Sequence, residues 1–169
     1  MDVNTEYVEV KGSGIHHKGV FAAKFIPKGT RIIEYVGEKL TKAQSDKRAD
    51  VYLEENEKNP DKNGAVYIFE LNKKYDIDGN VPNNPAKYIN HSCDPNAETD
   101  IIRGKIWVIA LRDIEKGEEI TYDYCYDLDS WEDHPCRCGS KNCLGYIVGE
   151  DHRAKLKKEL EKKKRQNKK

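Results

Sequence analysis

The stretch CRCGSKNC, residues 136–143, constrains this chain more than any other. It places three thiols, Cys136, Cys138 and Cys143, close together around an internal glycine. The full count of five cysteines is odd, and four of them are not spaced like an oxidised framework, so metal ligation is read before disulfides. A structural zinc site takes four ligands in a tetrahedron, with sulfur at about 2.3 Å and no open position. Three clustered thiols leave one vacancy, and Cys93 can fill it. The C-terminal segment would then be bound back onto a stretch far earlier in the chain. Free or redox-active thiols are the alternative. Cys125 is left over and reads as an ordinary strand thiol.

The stretch around Cys93 reads YINHSCDPN, residues 88–96. Asn90, His91, Ser92, Cys93, Asp94 and Asn96 are too polar a set for a core and a rich one even for a turn. Metal ligation accounts for Cys93 and leaves Asn90 and His91 unexplained.

Around these two stretches the chain reads as short strands. EYVEV alternates, GVFAAKFI follows a glycine-rich turn, PKG makes the next turn and TRIIEYVGE resumes a β-rich run. Residues 41–57 are the one helix expected in the body, with Thr41 as N-cap. AVYIFEL and KYDIDG form a hairpin pattern, and NVPNNP is a loop. KIWVIAL is a buried strand, and RDIEKGEE turns into a last strand, ITYDYCY. A charged helix is expected from Asp151 onward. Many short strands with one modest helix predict a mostly β, α+β domain.

A chain of 169 residues fits one domain with a real core, and a mean hydropathy of -0.91 suits water. No apolar run approaches the roughly 18–20 residues of a membrane span. The acidic start MDVNTEYVEV lacks the pattern of a signal peptide, so an intracellular protein is expected, in nucleus or cytoplasm. Charge is lopsided: residues 151–169 carry 10 Lys/Arg against 3 Asp/Glu, and the other 150 carry a net of -7. An acidic body favours a cationic peptide partner. The basic tail could contact nucleic acid, or be a solvated, partly frayed helix.

In TYDYCY the strand period of two predicts Tyr122, Tyr124 and Tyr126 on one face. They could be a core stripe, but buried phenols need partners. With Tyr67 they could instead line a narrow channel suited to an aliphatic stem carrying an amine.

Taken together, SGIHHKGVFA, IIEYVGE, KYINHSCDPN, GEEITYDY and CRCGSKNC resemble the SET-domain protein lysine methyltransferases, most nearly the trithorax/Set1-type branch with a post-SET zinc cluster. The likeness covers about residues 7–147. It implies several small curved sheets with a pseudoknot: a SET domain at 1–130 with a short insert at about 41–66, a zinc-binding post-SET segment at 131–149 and a basic tail at 150–169. It implies S-adenosylmethionine, contacted by His16, Lys18, Gly19, Tyr67, Lys87, Asn90 and His91, with Arg137 and Leu144 closing the adenine side. It implies one structural zinc on Cys93, Cys136, Cys138 and Cys143. Tyr124 matches the catalytic tyrosine, with Tyr67 beside it, and Tyr122 the position that tunes how many methyl groups are added, which implies mono- or dimethylation. The implied substrate is a lysine in a histone tail or another basic protein. The other reading is a catalytically silent, zinc-bound module that holds a peptide or docks on chromatin. Three features depart from the family. His17 replaces a usual glycine, Lys87 stands where arginine is common, and VPNNP looks like an insertion. No cysteine occurs before Cys93, so the cysteine-rich segment that precedes some family domains is not expected.

Overall fold

A computed structural model describes residues 4–58 and 66–166. The expected insert therefore lies partly outside the described residues. Among the described residues, ten strands form three small sheets. β1 (Val8–Gly12), β2 (Lys18–Ala22), β10 (Glu119–Tyr122) and β7 (Asn90–His91) make the first, in the order β1-β2-β10-β7. β3 (Arg31–Tyr35), β9 (Lys105–Ala110) and β8 (Ala97–Ile102) make the second. β4 (Glu38–Thr41), β6 (Tyr75–Asp78) and β5 (Ile68–Glu70) make the third. Helix α1 is Lys42–Lys58 and α2 is Glu150–Gln166.

The core lies where the first two sheets meet. Val20, Ile26, Ile32, Ile33, Ile106, Val108, Ile114 and Ile120 are essentially without solvent exposure. β9 contributes every second residue, Ile106, Val108 and Ala110, as the period of a strand requires. Its partner β8, AETDII, is absent from the strands expected above because its alternating acids hide a half-exposed strand. The Arg103–Gly104 turn closes this hairpin with both residues at positive φ, 52° and 75°. That is the two-residue geometry matching strand twist.

Among the described residues all ladders but one are antiparallel. β7 runs parallel to β10, with Asn90 opposite Thr121 and His91 opposite Tyr122. A parallel pair needs a long crossover, here the β8–β9 hairpin and the turn after it. The stretch expected to form the pseudoknot is thus held beside the tyrosine strand by main-chain hydrogen bonds.

α1 begins as expected. The Thr41 amide and hydroxyl both donate to Gln44 Oε1 at 2.9 Å, a capping box. Its inner face is polar rather than apolar. Tyr52 donates to both oxygens of Asp78, at 2.9 and 2.8 Å, and Arg48 pairs with the same carboxylate. Asp78 is buried, so this pairing, not oil, docks the helix on β6.

Two expectations are corrected. The last strand ends at Tyr122, and Cys125 takes a left-handed φ of 55°, so strand period does not align Tyr124 and Tyr126. Cys125 is accordingly an exposed loop thiol, not a strand thiol. The ladder stops because the chain leaves its partners: β7 is only two residues long. The basic tail is a docked helix, with Leu156 fully buried and Lys163 paired with Glu132 over the Trp131 ring. No helix among the described residues is long and apolar enough to cross a membrane.

Candidate active site and metal centre

Asn90, His91, Ser92 and Asn96 of YINHSCDPN have separate tasks. Asn90 Nδ2 donates to Glu119 Oε1 (2.8 Å), the Lys18 carbonyl (2.9 Å) and Ser13 Oγ (3.2 Å), so it fixes the β1–β2 loop against β10. His91 Nδ1 accepts the Tyr124 N–H at 3.2 Å, and Nε2 lies 3.4 Å from Cys93 Sγ. The accepting Nδ1 sets the tautomer with the proton on Nε2. Burial lowers the His91 pKa to about 4, against the opposing pull of Asp123, so the ring is neutral at pH 7. Ser92 Oγ accepts the Asp94 N–H at 3.1 Å and shapes the turn. Asn96, almost fully buried, accepts the Thr121 N–H at 2.9 Å and donates to the Glu119 carbonyl at 2.8 Å. Its side chain does for β10 what a further strand would.

The four expected thiols come together. The sulfurs of Cys93, Cys136, Cys138 and Cys143 lie within 4.8 Å of one another. Cys93 and Cys136 sulfurs are 3.9 Å apart. Ligands at about 2.3 Å from a tetrahedral centre would be about 3.8 Å apart, so this donor set fits a metal ion. The Cys138 sulfur accepts the Cys93 N–H at 3.5 Å, and the Cys143 sulfur the Gly145 N–H at 3.3 Å. Burial raises the Cys136 pKa to about 12. At Cys138 burial also opposes ionisation, but the Cys93 N–H and Ser140 outweigh it and bring the thiol to about 6. Ionising all four so close together would need a cation between them.

Tyr124 survives the loss of its strand because other contacts seat it. Its hydroxyl donates to the Ile89 carbonyl at 2.9 Å. Its ring lies 5.0 Å from Tyr122, 5.6 Å from Tyr126 and 5.4 Å from His91, centroid to centroid. Burial, then the nearby phenols of Tyr126 and Tyr67, hold its pKa above the ordinary tyrosine value. Burial raises Tyr122 still further, so both phenols are neutral donors. Tyr67 is half-buried, edge-on to Tyr52 at 6.1 Å.

On the other side of Asn90, Lys18 lies 4.9 Å and Lys87 5.3 Å from the Tyr88 ring centroid, and Lys87 is 5.8 Å from that of Tyr67. Lys87 Nζ also donates to the Val81 carbonyl at 3.1 Å. A side chain at Gly19 would collide with the Glu119 carboxylate, so that residue permits the close approach of loop and strand. Arg137 on the thiol-bearing flap lies near enough to His16 to help burial and His17 lower its pKa. Leu144 is half-buried on the same flap.

Two residues of this region are missing from the sequence-based set. Tyr35 donates its hydroxyl to the Tyr67 carbonyl at 2.9 Å and is buried beneath the phenols. Any side chain at Gly79 would strike its ring. Tyr88 gathers the two lysines. The signal for both lay in quoted motifs, IIEYVGE and KYINHSCDPN, where neither residue stood out from its strand or turn.

A three-sheet β fold with a parallel two-residue pair, a tyrosine cluster and a four-thiol centre defines a class, and comparison with known proteins agrees. The SET-domain family model matches residues 17–125, and the chain belongs to the SET-domain family. Among curated proteins it is similar to histone-lysine N-methyltransferase 2D of Homo sapiens, at 38% identity over 80% of this chain and 2% of that protein. It is similar to the variant-silencing SET domain-containing protein of Plasmodium falciparum, at 41% over 82% of this chain and 6% of that protein. It is also similar to the H3 lysine-4 specific histone-lysine N-methyltransferase of Aspergillus oryzae, at 39% over 80% of this chain and 11% of that protein. The chain thus spans a small fraction of the length of these relatives.

Proposed function

We propose that the chain is a protein-lysine N-methyltransferase that uses S-adenosylmethionine, and that its substrate is a lysine in a histone tail or another basic protein. The observation that carries this reading is the seating of Tyr124. Its neutral phenol donates to the Ile89 carbonyl, its backbone N–H to the His91 ring, and its ring lies among further phenols. Names of the relatives support the reaction class. The net charge of -7 on the body supports a cationic partner.

The residues present fit the cosubstrate by their donor chemistry. Lys18 and Lys87 around Tyr88 would take its carboxylate. Asn90, Gly19 and the His91 segment would shape the floor, while His16, Arg137 and Leu144 would close the adenine side. When bound, S-adenosylmethionine supplies an electrophilic methyl group on a cationic sulfur. The protein's part is to deliver a neutral amine in line with it, which is chiefly positioning and electrostatics. A lysine of pKa about 10.4 costs about 4–5 kcal/mol to deprotonate near pH 7. Burial among phenols disfavours the ammonium and lowers that cost. Tyr124 cannot be the base, since its own pKa is raised. Its hydroxyl orients the amine. Zinc on the four thiols would hold the flap.

Transfer of a labelled methyl group to histones or lysate proteins, with the site read by mass spectrometry, tests the reading. No transfer to any protein lysine would leave the silent binding module. Tyr122 is buried against Tyr124 and Phe69, which supports a role for its hydroxyl in restricting the room for further methyl groups. Mono- and dimethyl products are expected from the native chain, and Tyr122→Phe should shift the mixture toward trimethyl. Efficient trimethylation by the native chain would contradict this assignment.

The tail supports a second partner. With Leu156 inward, helix geometry turns Lys155, Lys157, Lys158, Lys162, Lys164 and Arg165 outward, and all are exposed. Duplex DNA is the polyanion such a face would take. Binding should weaken with salt by roughly 0.9 in log–log slope for each phosphate neutralised. A slope near zero would exclude it.

A further inference from the structure

The mechanism above makes no use of α2, yet Arg153 reaches from it into the site. The Arg153 side chain is only 16% exposed, and its fork touches three elements. Nη1 donates to the Cys93 carbonyl at 2.6 Å, Nη2 to Asp123 Oδ2 at 2.8 Å, and Nε to the Val148 carbonyl at 3.3 Å. Asp123 stands between Tyr122 and Tyr124. Its Oδ2 also accepts the Glu150 N–H at 3.0 Å, capping the first turn of α2, and its Oδ1 accepts the Cys125 N–H at 3.0 Å. That second bond supports the left-handed Cys125 that directs the chain away from the sheet. Oδ1 lies 3.6 Å from His91 Nδ1 as well.

This arrangement stands where a ladder is missing. Beyond Tyr122 the ladder ends, and apart from the Gly149 N–H bond to the Tyr126 carbonyl at 2.9 Å, the contacts that direct residues 123–126 run through side chains. Asp123 can hold that path only while its charge is compensated, because Asp123 is 15% exposed and an unpaired carboxylate there is costly. Arg153 supplies the compensation, and the same guanidinium holds the carbonyl of a thiol ligand. A planar fork holds both in a fixed geometry, whereas an ammonium is a compact point charge on a flexible stem and fixes neither direction. Leu156, fully buried on the same helical face, fixes the rotation of α2 that aims the fork.

We infer that Arg153 is a positioning residue for methyl transfer: through Asp123 and the Cys93 carbonyl it locks the Tyr124 turn to the thiol cluster, making α2 a working part of the site. The inference rests on the methyltransferase reading for its kinetic consequence and on geometry alone for its structural one.

The full chain carrying Arg153→Ala, Arg153→Lys or Asp123→Asn is compared with the native chain. Zinc content, far-UV and near-UV circular dichroism and steady-state methylation are measured. Arg153→Ala should keep its zinc and far-UV spectrum, lose part of the near-UV band of the stacked tyrosines, and lower kcat about 10–100-fold, while the peptide KM changes less than about threefold. Arg153→Lys should recover only part of kcat. Should Arg153→Ala fail to fold, Asp123→Asn decides, since it keeps shape but removes the charge partner. A drop of about tenfold in kcat is expected there. A kcat within twofold of native in both Arg153→Lys and Asp123→Asn, with an unchanged tyrosine band, overturns the inference. If the native chain transfers no methyl group, the reaction assignment fails by itself. The near-UV band, read without cosubstrate, still shows whether Arg153 seats Tyr124.

Discussion

Tyr124→Phe should lower kcat by about 10²–10³-fold, the loss typical of one oriented hydrogen-bonding group in a transition state. The fold should survive. The ring keeps its neighbours Tyr122, Tyr126 and His91, and the His91 bond is to the backbone N–H, which the substitution leaves intact. The one group orphaned is the Ile89 carbonyl, which costs about 1–3 kcal/mol. That predicts a thermal midpoint lower by several degrees, and cosubstrate affinity within about threefold of native, because the hydroxyl faces Ile89 rather than the Lys18–Lys87 side. The pH profile separates two mechanisms. The raised pKa of Tyr124 keeps it neutral, so the rate should climb with pH as the substrate amine loses its proton, and the climb should persist in the residual activity of Tyr124→Phe. A variant with native kcat, or one whose pH dependence disappears, would remove Tyr124 from the role.

Removing the metal should produce the second large effect. The flap between His134 and Ile147 is held by few main-chain bonds: Cys136 N–H to the Gly145 carbonyl at 2.8 Å and Ile147 N–H to the His134 carbonyl at 2.8 Å. Its aromatic packing is Trp131 against Tyr146, 4.4 Å, and His134 against Tyr126, 5.0 Å, between ring centroids. Without a cation the four sulfurs lose the interaction that gathers them, and the apparent worth of such a site is about 10 kcal/mol or more at pH 7. Chelation, or Cys143→Ser, should therefore open the flap while the isoleucine-rich core of the sheets stays folded. Trypsin should cut at Arg137 and Lys141, both exposed, far faster than in the native chain. Cosubstrate affinity should fall at least about tenfold, since Arg137 and Leu144 travel with the flap. Unaltered proteolysis after complete zinc removal would show that α2 and Trp131 hold the flap without metal.

The strands with apolar alternation, the capped helix at 42–58 and the thiol set were legible because each is written in local pattern or fixed spacing. β8 was not, because a strand with acids on its outer face has the composition of a loop. Tyr35 and Tyr88 were not, because their roles depend on what faces them: the Tyr67 carbonyl for one, two lysines for the other. Tyr122, Tyr124 and Tyr126 were expected to cluster and do, but for a different reason. The strand ends at the first of them, and side-chain clamps carry the rest.

Residue order alone determined which groups this protein owns: four thiols at metal-ligand spacing, a run of phenols, and an asparagine–histidine pair beside the fourth thiol. Only the folded chain decided their alliances, above all the Asp123–Arg153 pair that joins a tail helix to the tyrosine turn. The physical reason is range. Periodicity and spacing act over a few residues, whereas a buried charge takes whichever partner the finished packing brings within hydrogen-bond distance.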